Sequence, residues 1–341
     1  LNQDPSFPQP LLPPAGSMII SIGMAKILPK LVVIAGPTAS GKSALGIQLA
    51  KKFNGEVISA DSRQIYREMD IGTAKPPRDK TNNRQPTAYY SEGILHHLID
   101  IRNPDQDYTV ADFKRDALRT INAIVKKKKL PILVGGTGLY IKAVTDNLDI
   151  PRAKPNPSLR AKLEKELRDK GLASLFKKLV ALDPEAAYIV DPRNPRRVIR
   201  ALEIINQTQK LFSAQRKKGI PLFTILKLGI NPPPETLRKR LERRVDRMIA
   251  DGLVKEVKKV IAKYTAAPPS FDAIGYREIV DFLRGKISEP EAIRQIKTNT
   301  WRFAKRQMTW FKADHDIHWI PASTEKGIEK LTRQFLFSSR K

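Results

Sequence analysis

The stretch Leu31-Val-Val-Ile-Ala35 runs straight into Gly36-Pro37-Thr38-Ala39-Ser40-Gly41-Lys42-Ser43, and its reading decides the fold. A run of β-branched apolar residues suits a strand buried on both faces. Apolar residues then recur at 45, 47, 49, 50 and 53, a helical stripe that Asn54-Gly55 closes. Between strand and helix stands the pattern GxxxxGK[ST]. Its glycines let backbone N–H groups curl around phosphate oxygens at the positive end of the helix. In that pattern Lys42 reaches the outer phosphate and the Ser43 hydroxyl ligates Mg²⁺. Residues 36–43 are therefore the candidate diphosphate or triphosphate site, with Ser43 as candidate metal ligand. The motif specifies phosphates; it does not specify a kinase.

Outward from this point, 56–60 and 131–135 read as further short strands. Residues 109–129 form a helix begun by Thr109 and Asp112, and another helix starts at Leu139. Alternating strands and helices predict a parallel α/β sheet. The pattern changes over 148–221, where amphipathic helices broken by prolines appear without a strand. Strand character returns at 223–230, followed by long basic helices at 235–263 and 289–312 and a last short strand at 318–320. The expected organisation is an α/β core of residues 29–147 and 222–341, interrupted by a helical insertion over 148–221. Residues 1–28, with Pro at 5, 8, 10, 13 and 14, read as an extended tail. Met18 and Met24 are candidate native starts, and residues 77–88 read as a mobile loop.

The chain has 341 residues, 62 Lys+Arg against 35 Asp+Glu, a formal charge of +27 and no cysteine. The missing cysteines exclude disulfides, thiolate zinc sites, iron–sulfur clusters and cysteine nucleophiles together. No stretch is long and apolar enough to span a membrane, and the tail lacks the basic region of a signal peptide. A soluble cytoplasmic protein is expected. The positive charge favours a polyanionic partner, nucleic acid above all. Two segments concentrate it: 191–218 and 294–312 each carry a net +6. Trp301, Phe303, Trp310 and Phe311 interleave the second, where their helical spacing fits core packing as well as base stacking.

Two features point away from an ordinary NTPase. The strand Ile132-Leu-Val-Gly-Gly136 ends in glycines where a metal-binding Asp would be expected. The acid appears instead at Asp61, after the second strand, at the sheet edge where α/β proteins bind ligands. A turn-capping role for Asp61 remains open on spacing alone. The glycines of Gly135-Gly136-Thr137-Gly138 suggest either close approach of a ligand to backbone or a helix-start turn.

Longer motifs carry a resemblance. GPTASGKS (36–43), DSRQIYREMDIGTAKP (61–76), HHLIDI (96–101), YTVADF (108–113), ILVGGTGLYIKA (132–143), RRVIRALEI (196–204), AIGYREI (273–279) and RFAKRQMTWF (302–311) resemble the tRNA dimethylallyltransferase family, in family order. The resemblance implies a P-loop-kinase-like core with an inserted helical domain for the tRNA anticodon stem-loop. It implies transfer of a dimethylallyl group from dimethylallyl diphosphate to N6 of adenine 37, with Mg²⁺. By family correspondence the catalytic set is Asp61, Thr38 and Arg244. The same correspondence puts Asp61, Ser62, Arg63, Gln64, Thr137, Arg160, Arg196, Arg197, Arg200, Arg302, Lys305, Arg306 and Gln307 against tRNA. Arg196 falls at a position variable in the family. His96 sits in a family motif but reads as a lone, satisfied histidine at a strand edge. Eukaryotic cytosolic relatives often append a C-terminal zinc finger that a sequence without cysteine cannot form, so a bacterial or organellar type is expected. A monomer is expected. The alternatives are an adenylate dimethylallyltransferase, a P-loop nucleotide kinase, or an RNA-binding module with a vestigial phosphate loop.

Overall fold

The computed structural model describes residues 28–80, 88–150, 156–215, 218–264, 269–320 and 325–338. The expected N-terminal tail, up to residue 27, and residues 81–87 of the expected loop lie outside them. Seven strands form one sheet in the order β3-β4-β2-β5-β1-β6-β7. At its centre β1 (Lys30–Ala35) pairs in parallel with β5 (Leu130–Gly135) and β6 (Thr224–Ile230). Beyond them β2 (Gly55–Ser59) joins β5, and β7 (Ile317–Ile320) joins β6, also in parallel.

Alternate residues of β1 face different cores, as the pleat requires. Leu31, Val33 and Ala35 pack with Phe113, Ile121 and Ile124 of α2 (Val110–Lys126) and Ile141 of α3 (Gly138–Thr145). Val32 and Ile34 pack with Leu45 and Leu49 of α1 (Lys42–Lys52) and with Ile328 of α11 (Glu325–Phe337). Helices on both faces are why the strand reads as an unbroken apolar run. Thr109 caps α2 in a reciprocal box with Asp112, a device stabilising by about 1 kcal/mol.

The sheet is mixed, not wholly parallel as expected. β3 (Tyr89–Ser91) pairs antiparallel with β4 (Ile94–His97), which in turn runs parallel to β2. The hairpin turns at Glu92 and Gly93, whose φ angles are +50° and +77°, the backbone handedness of a two-residue hairpin turn. The expected helix over 235–263 is two helices, α7 (Pro234–Ala250) and α8 (Leu253–Lys263). Gly252, with φ +100°, breaks the path between them. Also unanticipated is α9 (Tyr276–Leu283), which precedes the long basic α10 (Glu289–Lys312).

The middle of the chain is helical, as its pattern predicts. α4 (Pro157–Leu182), kinked at Gly171, is followed by α5 (Ala186–Ile189) and α6 (Pro195–Thr208). Their apolar faces form a cluster of their own around Leu175, Leu179, Val198 and Leu202. Among the described residues no helix is long and apolar enough to cross a membrane.

Candidate active site

The carboxyl ends of β1, β2 and β5 meet at one edge of the sheet. β1 delivers the phosphate loop. Gly36, Ala39 and Gly41 have φ of +150°, +62° and +101°, so the backbone winds into a concavity of the kind that cradles anions. A Cβ on Gly36 would lie 2.7 Å from the Ile230 carbonyl oxygen, so only glycine fits there. The Ser40 hydroxyl is buried with no hydrogen-bond partner among the described residues. The Lys42 ammonium folds back to donate to the Pro37 carbonyl at 2.6 Å. Burial lowers the Lys42 pKa to about 8; Asp61 opposes that shift and Arg244 adds to it.

β2 delivers Asp61. Its Oδ1 accepts the Arg63 N–H at 2.8 Å and, more weakly, the Gln64 N–H at 3.4 Å. The turn-capping reading is therefore right, and it does not compete with a functional one. The same carboxylate lines a cleft of about 520 Å³ beside the phosphate loop, with Thr38, Thr137 and Arg244. Arg244 comes from α7 and donates to the Thr38 hydroxyl at 3.0 Å. Burial lowers its pKa, opposed by Asp61. This arginine is turned inward, not a solvated helix-face residue. Thr137, at the start of α3, accepts the Ser62 N–H at 3.1 Å and so ties the β5 turn to the Asp61 turn.

The cleft also gathers Ser62, Arg63, Arg302 and Arg306. Other expected residues stand elsewhere. The Gln307 side chain is buried, its Oε1 accepting the Thr38 N–H and its Nε2 donating to the Gly136 carbonyl, both at 2.9 Å. Its amide bridges two loops of the site, which leaves it no open face for RNA. Gln64 also points inward, accepting from the Ser59 hydroxyl at 2.9 Å. Arg160 grips the buried Glu203 through Nε and Nη2, and Arg200 joins the same carboxylate at 3.1 Å. Arg196 reaches from α6 to Asp272, 3.5 Å away, and Asp272 lines the cleft. Arg197 lies in a second cleft of about 750 Å³ with Arg306 and Trp310. Lys305 lies over the Trp301 ring.

One expectation is corrected and two open readings are decided. The glycines after β5 make room for protein, not ligand: a Cβ on Gly135 would overlap the Ala60 carbonyl, and one on Gly138 the Trp310 ring. His96 is buried, its Nδ1 donating to the Ile94 carbonyl at 3.0 Å, but its Nε2 has no partner among the described residues. Of the four aromatics on α10, Phe311 is core and Trp301 half-buried against Leu237 and Leu241, while Phe303 and Trp310 keep over a third of their surface exposed.

Several cleft residues escaped the sequence reading: Gly72, Thr73 and Ala74, and Asp272, Arg277 and Asn299. They fall within or beside the motifs at 61–76 and 273–279, yet no spacing rule places them at a site. The buried Glu278 carboxylate holds three of their neighbouring groups, accepting from the Gly275 N–H, Arg277 and Asn299, each at 2.8 Å. Apolar walls come from Met248, Ile274 and Phe303. Among the described residues no cluster of three or more His, Asp or Glu forms a metal site. A divalent ion would rely on the exposed Ser43 hydroxyl and on phosphate oxygens, the sparse protein ligation typical of Mg²⁺.

Residues 64–314 match the IPP transferase family. The chain is 44% identical to a tRNA dimethylallyltransferase of Carboxydothermus hydrogenoformans, over 90% of this chain and 96% of the relative. Among solved structures, the tRNA isopentenylpyrophosphate transferase of Bacillus halodurans is 39% identical, with a TM-score of 0.63 over 90% of this chain and 95% of that one. A eukaryotic dimethylallyltransferase acting on tRNA is 30% identical, with a TM-score of 0.74 over 90% of this chain and 79% of that one. Fold, phosphate loop and near full-length matches agree: the chain belongs to the IPP transferase family.

Proposed function

We propose that the protein transfers a dimethylallyl group from dimethylallyl diphosphate to N6 of adenine 37 in tRNA, giving N6-dimethylallyladenosine and diphosphate. The observation that carries this reading is the juxtaposition, in one cleft, of an anion-binding backbone loop, Arg244 and an acceptor carboxylate, Asp61. A kinase would need the first two. A carboxylate at the mouth of the phosphate site suits a reaction in which the acceptor loses a proton while the phosphates depart.

The exocyclic amine of adenine is a weak nucleophile because its lone pair is delocalised into the ring. As the N6–C1 bond forms and the C1–O bond breaks, the electron pair leaves on diphosphate and the N6 proton passes to Asp61. The loop amides, Lys42 and Arg244 absorb the charge growing on the leaving group. The Ser43 hydroxyl, together with the diphosphate, would hold Mg²⁺, which would supply further neutralisation. Thr38, fixed by Arg244 through its hydroxyl and by Gln307 through its N–H, matches the family position near the donor and the amine. Met248, Ile274 and Phe303 give the prenyl tail an apolar wall. The base must leave the anticodon-loop stack to reach Asp61. Arg302 and Arg306 meet its backbone at the cleft, and the insertion, with Arg196 and Arg197, follows the stem, while Arg160 and Arg200 brace α4 against α6 through Glu203. One chain provides every group invoked, so a monomer suffices.

Labelled dimethylallyl diphosphate, Mg²⁺ and unmodified tRNA test the proposal. Label is expected on A37 of tRNAs with an A36-A37-A38 run. Asp61→Ala should lower kcat by about 10² or more, the range for losing a general base. Wild-type rates in that variant would remove Asp61 from the mechanism. Transfer to free adenine nucleotides in preference to tRNA would favour the adenylate-specific alternative.

A further inference from the structure

One wall of the cleft is made by Gly72, Thr73 and Ala74, in a segment that no helix or strand contains. Its anchor lies outside the cleft. Three successive backbone N–H groups, of Asp70, Ile71 and Gly72, converge on the carboxylate of Glu256 on α8, at 2.9, 2.8 and 3.1 Å. Successive amides in this arrangement form an anion-binding concavity, and here the protein supplies the anion. The Tyr276 hydroxyl, from the first residue of α9, donates to the same carboxylate. Burial, followed by the nearby Glu256 charge, raises the Tyr276 pKa, so the phenol remains a donor. Its ring fills the space where a Cβ on Gly72 would stand. Farther along the segment, the Lys75 ammonium donates to the Tyr66 carbonyl at 2.6 Å and pairs with Asp70 and Asp100.

From this anchor a chain of hydrogen bonds leads to the reacting carboxylate. The carbonyls of Thr73 and Ala74 accept from Gln64 Nε2 at 3.4 and 3.3 Å. Gln64 in turn accepts from Ser59 at the end of β2, and its N–H points at Asp61 Oδ1. Among the described residues the hydrogen bonds of Glu256 go to Asp70, Ile71, Gly72 and Tyr276, so it reaches the cleft through the wall and the Asp61 turn.

We propose that Glu256 is a positioning residue for the transfer: it fixes the wall at 72–74 and, through Gln64, the aim of Asp61. This rests on the prenyl transfer proposed above. Small misplacements of reacting groups reduce rates steeply while leaving ground-state binding nearly intact.

The test is Glu256→Gln, which keeps the side-chain volume but replaces one acceptor oxygen with an N–H donor facing backbone donors. The purified full chain is assayed for kcat, for KM toward dimethylallyl diphosphate and an anticodon stem-loop, and for thermal stability. Expected is a fall in kcat of about 10- to 100-fold, with KM for dimethylallyl diphosphate unchanged. Tyr276→Phe retains the ring and removes one donor; a smaller fall in kcat with the same split is expected. A lower melting temperature with wild-type kcat per folded molecule in both variants would overturn the proposal. Should Glu256→Gln not fold, Tyr276→Phe decides by the same split. A wild-type protein inactive toward tRNA would sink the activity itself, whereas an active wild type with equally active variants sinks only the role of Glu256.

Discussion

Gln307 offers a decisive substitution, because family correspondence puts it against tRNA while the structure seals it inside. Gln307→Met keeps the length and apolar bulk of the side chain and deletes both hydrogen bonds. It strands the buried Gly136 carbonyl and the Thr38 N–H. Each unsatisfied group costs about 1–3 kcal/mol, so the loss is about 2–6 kcal/mol if the two add. For a chain of this size that corresponds to a melting temperature lower by roughly 2 °C or slightly less for each kcal/mol. Thr38 loses its backbone tether but keeps the Arg244 contact to its hydroxyl, so the phosphate loop loosens from one side. The consequence belongs to the donor: KM for dimethylallyl diphosphate should rise and kcat fall, while affinity for the anticodon stem-loop stays close to wild type. Circular dichroism melting, steady-state kinetics and stem-loop binding give the three readouts. An unchanged melting temperature with weakened stem-loop binding would refute this reasoning and return Gln307 to the RNA surface.

Two further outcomes follow from charge. Burial holds Lys42 near a pKa of about 8, so the free enzyme loses this cation as pH rises through 8 and kcat/KM for dimethylallyl diphosphate should turn down there. The unfolded chain keeps that proton up to the ordinary value of 10.5, so between these values it binds more protons and this group adds stability as pH rises. Lys42→Arg, charged throughout, should abolish the downturn, and a pH–rate profile flat across 8 would contradict the assignment. Stem-loop affinity should fall steeply with salt, and Arg302→Ala and Arg306→Ala should each reduce the slope of log K against log[salt] by about 1. An unaltered slope would show that neither meets a phosphate.

What could be read from the sequence was local. The strand at 31–35, the phosphate loop and the capped α2 each announce themselves within a dozen residues, and the structure contains all three. The β3–β4 hairpin escaped because strands of three and four residues show no measurable alternation; only Glu92-Gly93 hinted at it. The site escaped in proportion to sequence distance. Asp61 was visible because it follows a strand, whereas Glu256 meets amides some 185 residues away and Gln307 bridges to a glycine 171 residues away. By spacing alone Arg244 looked like one basic residue among many on α7; family correspondence singled it out, and packing turns it inward onto Thr38.

Net charge gives the limiting case. A surplus of +27 names a class of partner, yet counting cannot tell which cations face it. Lys75 is spent on Asp70 and Asp100, Lys227 on Asp314 and Asp316, and Arg160 shares the buried Glu203 with Arg200. These pairs hold loops and helices in place, and an RNA phosphate would have to compete with a partly desolvated carboxylate for each of them. Arg302 and Arg306 differ: both line the cleft that holds Asp61, where the proposed transfer brings the reacting base. The physical claim that replaces the count is therefore narrower. A small group of cations at the cleft governs the salt dependence, and most of the remaining surplus sets only the long-range field that draws the polyanion in.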